Sequence, residues 1–112
     1  MDDDRARALL AAERARLEQS IARLSDDNRA AAAEEDEPGE LGSEELLRKE
    51  LDAGLGEDLA AQLAAVERAE QRLTAGTYGR SVDSGEPIPD ARLEAKPAAE
   101  RTVAEQQALE RG

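Results

Sequence analysis

Large apolar residues recur in the first part of the chain at Leu10, Leu17, Ile21 and Leu24, spaced 7, 4 and 3 apart. That spacing places them on one face of a helix. Ala6 and Ala31 extend the stripe at lower amplitude, while Arg7, Glu13, Arg14, Arg16 and Glu18 fall largely off it. Glu13 and Arg16 stand three apart, the right distance to pair weakly. Asp2 to Asp4 supply an N-cap and a negative first turn. Ala30 to Ala33 keep helix propensity high up to the acidic run Glu34-Glu35-Asp36-Glu37. Pro38-Gly39 then breaks the helix, and Gly42 adds a second soft point. Ser43 followed by Glu44 and Glu45 opens a second helix. Its broad apolar face is Leu47, Leu51, Leu55, Leu59, Leu63, Val66 and Leu73, with a heptad spacing through 59, 66 and 73. Gly54 and Gly56 interrupt it, each costing about 1 kcal/mol relative to Ala, and predict a local fray or bend. Gly76 closes this helix as its C′ residue. Two striped segments across a short break form an antiparallel hairpin whose arms, roughly 30 residues each, reach about 45 Å.

Beyond Gly76 the pattern changes. Glycines stand at 76, 79 and 85 and prolines at 87, 89 and 97, the punctuation of a turn-rich knuckle. Two polar pairs, Ser81/Ser84 and Thr102/Glu105, each enclose two residues and are separated by 17. This is the spacing of a four-ligand zinc ribbon, here without a thiolate or imidazole, since the chain has no Cys and no His. Three weak neutral donors and one carboxylate do not make a zinc site, so no zinc is expected. A cluster of Tyr78, Val82, Ile88, Leu93 and Val103 is expected to hold the knuckle instead, with Ser and Thr hydroxyls bonding turn amides. A short helix over about 98–109 ends the chain. The fold class is therefore all-α: a long coiled-coil hairpin over 1–75 with its tip near 36–43, then a degenerate zinc-ribbon-like knuckle and C-terminal helix over 76–112.

Composition narrows the function. Apolar residues are 39% of the 112, but there is one Tyr and no Phe or Trp, so a narrow leucine seam replaces a large core. The 27 acidic and 15 basic residues give a net charge of −12, which disfavours direct DNA binding and suits a partner with a positive groove. No stretch approaches a membrane span and the start of the chain, MDDDRARALL, lacks the order of a signal peptide, so a cytoplasmic protein is expected, and a monomer is taken as its state. With no His, Cys, nucleophile elbow or phosphate-binding loop, the chain is not expected to be an enzyme.

The wording of the last third resembles the DksA/TraR family of RNA polymerase-binding regulators. The matching residues are Leu73, Gly76-Thr77-Tyr78-Gly79, Asp83, Gly85-Glu86-Pro87-Ile88-Pro89, Arg92-Leu93, Ala95 and Pro97-Ala98. The resemblance implies that the family's zinc cysteines fall on Ser81, Ser84, Thr102 and Glu105. It also implies a coiled-coil tip inserted into the polymerase secondary channel, usually with a D-x-x-D-x-A pattern. Here the apex reads Glu37-Pro38-Gly39-Glu40-Leu41-Gly42, with Glu37 and Glu40 for the two acids and Gly42 for the alanine. Arg80, Arg92, Lys96 and Arg101 are the implied candidates for contact with polymerase or ppGpp. The expected function is modulation of initiation without zinc. The alternative is a helical-hairpin interaction protein that kept the fold and lost polymerase regulation.

Overall fold

In the computed structural model, residues 1–34 and 43–112 are described, with side chains over 1–27 and 53–112. Helix α1 spans Asp3–Glu34 and α2 spans Ser43–Ala75. Two short helices follow, α3 over Asp90–Ala95 and α4 over Val103–Arg111. Among the described residues the backbone is otherwise turns and one isolated antiparallel bridge, Arg80 to Pro87. The molecule measures 56 × 33 × 21 Å, as two long paired helices require.

The apolar stripes meet as their spacing predicts. Leu10 and Leu17 of α1 are buried with Leu59, Val66 and Ala69 of α2, and Ile21, Leu24, Leu63 and Leu73 pack against them. The helices run antiparallel, because Arg14 lies against Glu70 while Leu24 lies against Gly56. Arg14 donates from Nε and Nη2 to the Glu70 carboxylate at 3.4 and 2.5 Å beside the seam. Asp2 caps α1 by accepting from the Arg5 amide at 2.7 Å. Glu13 and Arg16 pair through two hydrogen bonds of 2.6 and 3.0 Å. At the other end Gly76 has φ 82°. Its amide bonds Leu73 O and the Thr77 amide bonds Arg72 O, a Schellman closure that satisfies the last carbonyls of α2.

Three expectations change. First, α2 runs unbroken through Gly54 and Gly56 instead of fraying, because its apolar face is held against α1 and packing outweighs propensity. Second, Leu55 is turned outward at 49% exposure; the residue facing Leu24 is its neighbour Gly56, whose added Cβ would meet Leu24 Cδ2 at 3.5 Å. Third, the terminal helix begins at Val103, not near 98, and α3 precedes it. Residues 97–101 are instead committed to bonds with the knuckle. The expected tip and the seam residues Ala31, Leu47 and Leu51 lie outside what is described for side chains. A Cβ on Gly54 would meet nothing within 4 Å. Gly54→Ala is therefore expected to raise stability by about 1 kcal/mol in a urea melt, with unchanged helix content.

Candidate functional site

The knuckle is a tight loop closed on itself. Gly79 and Gly85 take φ of 85° and 76°, conformations that residues with a Cβ rarely adopt. These turns let the Ser81 amide reach Glu86 O at 2.8 Å, the Gly85 amide reach Ser81 O at 2.9 Å and the Ile88 amide reach Gly79 O at 2.8 Å. Below the loop, Ile88, Leu93 and Ala99 are buried together with Tyr78 against them. This corrects the expected cluster: Val82 and Val103 are 46% and 49% exposed. The loop turns its amides inward to Ser81 Oγ and to Glu100 O, and it meets α4 through the Ser81 hydroxyl. Tyr78 packs against both the knuckle core and the hairpin seam, and its hydroxyl donates to Pro97 O at 2.8 Å.

Ser81, Ser84, Thr102 and Glu105 come together around one carboxylate. Ser81 is buried at 5% exposure. Its Oγ accepts from the amides of Asp83 and Ser84 at 3.1 and 3.3 Å and donates to Glu105 Oε2 at 2.9 Å. The Thr102 amide donates to Glu105 Oε1 at 3.0 Å, and Thr102 Oγ1 accepts from the Glu105 amide at 3.2 Å. Thr102 and Glu105 thus form a reciprocal capping box that starts α4. Ser84 Oγ accepts from the Glu86 amide at 3.2 Å. Donors on both oxygens, the Thr102 amide foremost and then the Ser81 hydroxyl, hold the Glu105 carboxyl down to about 2. This arrangement does not suit zinc. It offers hydroxyls that already serve as amide acceptors and a carboxylate with both oxygens engaged, where a structural zinc needs thiolates or imidazoles. Among the described residues, no group of His, Cys, Asp or Glu is arranged to hold a metal.

The depressed carboxylates set a pH dependence. Glu105 at about 2, and Glu13 and Glu100 lowered mainly by their hydrogen bonds to Arg16 and Arg68, bind protons less readily folded than unfolded. Their stabilisation is present above the ordinary carboxylate range, about 4.5, and is lost as pH falls toward 2. Burial raises the Tyr78 hydroxyl above its usual 10, so stability falls again above that pH. With no His in the chain, the melting temperature is expected to be flat between about pH 5.5 and 9 and to drop below about 4 in a circular-dichroism series.

The module is tied to the hairpin by ion pairs that the sequence order hides. Glu100 accepts from Arg68 and Arg72 of α2. Within the module, Arg101 bonds Asp83 Oδ2 at 2.7 Å and Arg92 Nε donates to Arg101 O at 2.8 Å. The Val82 amide reaches Glu100 O at 2.9 Å. Arg68 and Arg72 stand one turn apart off the leucine seam, a signal of a basic edge; their partner is too distant in sequence for periodicity to find.

Between α2 and the segment 95–101 lies an open cleft of about 570 Å³. Arg92, Lys96 and Arg101 line it together with Arg16 of α1, over a floor that includes Ala61 and Ala65. Arg80 is not among them: it bonds Gly85 O and borders a smaller hollow beside Tyr78 and Pro87. Three of the four basic candidates therefore share a surface and the fourth does not. Glu37, Glu40 and Gly42 lie outside the described residues. No helix among the described residues is long and apolar enough to cross a membrane.

Residues 76–111 match the family model of the prokaryotic DksA/TraR C4-type zinc finger. No curated protein sequence matches the chain. Among solved structures, the fold is similar to that of transcription factor DksA2 from Pseudomonas aeruginosa, with a TM-score of 0.80 and 24% identity over 97% of this chain and 83% of that one. A second match is the RNA polymerase binding protein and transcriptional regulator Dks from Chlamydia trachomatis, with 27% identity over 92% of this chain and 88% of that one and a TM-score of 0.48. Residues 76–111, with the glycine-turned knuckle, the Pro-Ile-Pro segment and the helices packed around them, thus match the DksA/TraR C4-type finger in a chain that has no cysteine, and the fold of the chain is similar to that of DksA2.

Proposed function

We propose that this protein is a transcription regulator that binds RNA polymerase, inserts the acidic tip of its hairpin into the secondary channel and works without zinc. The observation that carries this reading is the pairing of a family-matched C-terminal module with a hairpin whose whole-chain fold is that of DksA2. The net charge of −12 supports entry into a positively lined channel and disfavours DNA as the direct partner. In this reading Glu37 and Glu40 are the channel-facing acids, and Gly42 leaves that turn without the usual alanine. Arg92, Lys96 and Arg101, with the cleft they border, are the candidate contacts to polymerase or ppGpp. Arg80 would act separately. The hydrogen-bonded Ser81–Glu105–Thr102 set takes the structural place of the metal, so the protein would act where zinc is scarce or thiols are oxidised. Domain division follows as hairpin 1–75 and module 76–112.

The test is capture of purified core polymerase by the intact protein, followed by promoter-complex lifetimes. The parent is expected to bind and to change the lifetime, and Glu37→Ala with Glu40→Ala is expected to bind but leave the lifetime as polymerase alone has it. A zinc chelator is expected to change neither binding nor the folded signal. If the protein binds while the tip variant equals the parent, the second reading holds: a hairpin interaction protein, favoured by the altered apex and the vacated metal positions. Absence of binding would remove polymerase as the partner.

A further inference from the structure

Hairpin and module are joined by packing of Tyr78 and Ala98 on the seam and by ion pairs of Asp90 with the Met1 amine, Glu94 with Arg5 and Glu100 with α2, of which Glu100 is the least exposed and is held by two arginines. Glu100 accepts from Arg68 Nε and Nη2 at 3.1 and 2.8 Å and from Arg72 Nη1 at 3.3 Å. Both arginines lie on α2, one turn apart, so one acidic side chain of the module is held by two cations of the hairpin. The charges there do not balance locally. Arg72 is 16% exposed and Glu100 20%, and Nη2 of Arg72 is buried with no hydrogen-bond partner among the described residues. Arg68, at 51% exposure, is mostly in solvent. Removing Arg68 would leave the inner Arg72–Glu100 pair in place. Removing the charge of Glu100 would leave Arg72 half-enclosed and uncompensated, the costly way to break such a pair.

The backbone of the same segment is fixed from the other side. The Val82 amide reaches Glu100 O, the Tyr78 hydroxyl reaches Pro97 O, and Arg92 reaches Arg101 O. Hairpin base, knuckle loop and α3 therefore converge within residues 97–101. Glu100 also lines the basic cleft beside Lys96 and Arg101, so whatever sets its place on α2 sets the width of that cleft.

We propose that Glu100 is a positioning residue: its pairing with Arg72 and Arg68 fixes the angle of the C-terminal module to the hairpin, and through it the surface offered to polymerase. The functional half of this inference rests on the polymerase-binding reading; the geometric half does not. Because the chain has no Cys, spin labels can be placed at Gln19→Cys on α1 and Gln107→Cys on α4, both exposed, and their separation measured by pulsed electron resonance. The parent is expected to give one narrow distance. Glu100→Gln is expected to broaden it at unchanged helix content and to weaken core-polymerase binding about tenfold. Arg68→Ala is expected to stay within about twofold of the parent in affinity, as a rim charge does. Adding Arg72→Met to Glu100→Gln is expected to leave the distance broad, since relieving the stranded charge does not restore the pairing.

A narrow distance in Glu100→Gln, or a double variant as narrow as the parent, would overturn the lock. Broadening with parental affinity would overturn the positioning role while leaving the proposed function standing. If the parent does not bind polymerase, the proposed function fails, and the distances alone decide for or against the lock.

Discussion

Leu93→Ala is expected to unfold the C-terminal module and leave the hairpin helical. Leu93 is 1% exposed and sits at the centre of a core made of only Ile88 and Ala99 besides itself, with Tyr78 at its edge. It also fills the space beneath the loop, where a Cβ on Gly79 would lie 3.7 Å from its Cδ1. Truncating a buried leucine costs about 2 to 5 kcal/mol. A module of this size, with no disulfide or thiolate metal site available to it, has little stability to spare. The hairpin seam through Leu10, Leu17, Leu59 and Val66 is a separate cluster, so its helices should persist. The single Tyr of the chain is a built-in reporter: Tyr78 fluorescence and near-ultraviolet dichroism should change at low temperature, while far-ultraviolet dichroism keeps most of its helical signal. Loss of both signals together would mean that the hairpin depends on the module. An unchanged Tyr78 signal would mean that this core is not what holds the knuckle.

The next largest effect is expected for Ser81→Ala. Its hydroxyl joins the Ser81/Ser84 pair to the start of α4, accepting from two loop amides and donating to Glu105. At 5% exposure, water cannot readily replace it, and the Asp83 and Ser84 amides lose their acceptor. Leaving buried groups unpaired costs about 1 to 3 kcal/mol. Thr102→Ala removes only the cap of α4 and should cost about 1 kcal/mol. Melts followed through Tyr78 should therefore rank Leu93→Ala below Ser81→Ala, and Ser81→Ala below Thr102→Ala. If Ser81→Ala melts with the parent, the loop is held by its glycine turns and backbone bonds alone.

The apolar spacing was enough to place both arms of the hairpin, because a period near 3.6 over thirty-odd residues admits one structure when half of each helix must be buried. Gly76 as the residue that closes α2, and the bonding of turn amides by Ser and Thr hydroxyls, were legible too, since turn chemistry is local. So was the absence of thiolate chemistry. What local pattern could not supply was which apolar residues face inward where helices end. Val82 and Val103 have the right chemistry for a core, but the loop is closed by its own amides, Ser81 Oγ and Glu100 O, and both valines stay in solvent. Leu55 has the right periodicity, but Gly56 takes the place opposite Leu24. Nor does propensity reveal that Thr102 begins a helix while Pro97 to Arg101 serve as a hub, because the bonds that commit this segment reach back to Arg68, Arg72, Tyr78 and Val82. The sequence alone determined the helical hairpin, the knuckle and its lack of thiolate and imidazole, all of which follow from spacing and side-chain chemistry along the chain. Only the tertiary structure decided that Ser81 bonds Glu105 and that Glu100 joins the module to α2, since both depend on contacts between residues 24 to 32 positions apart, which no local period encodes.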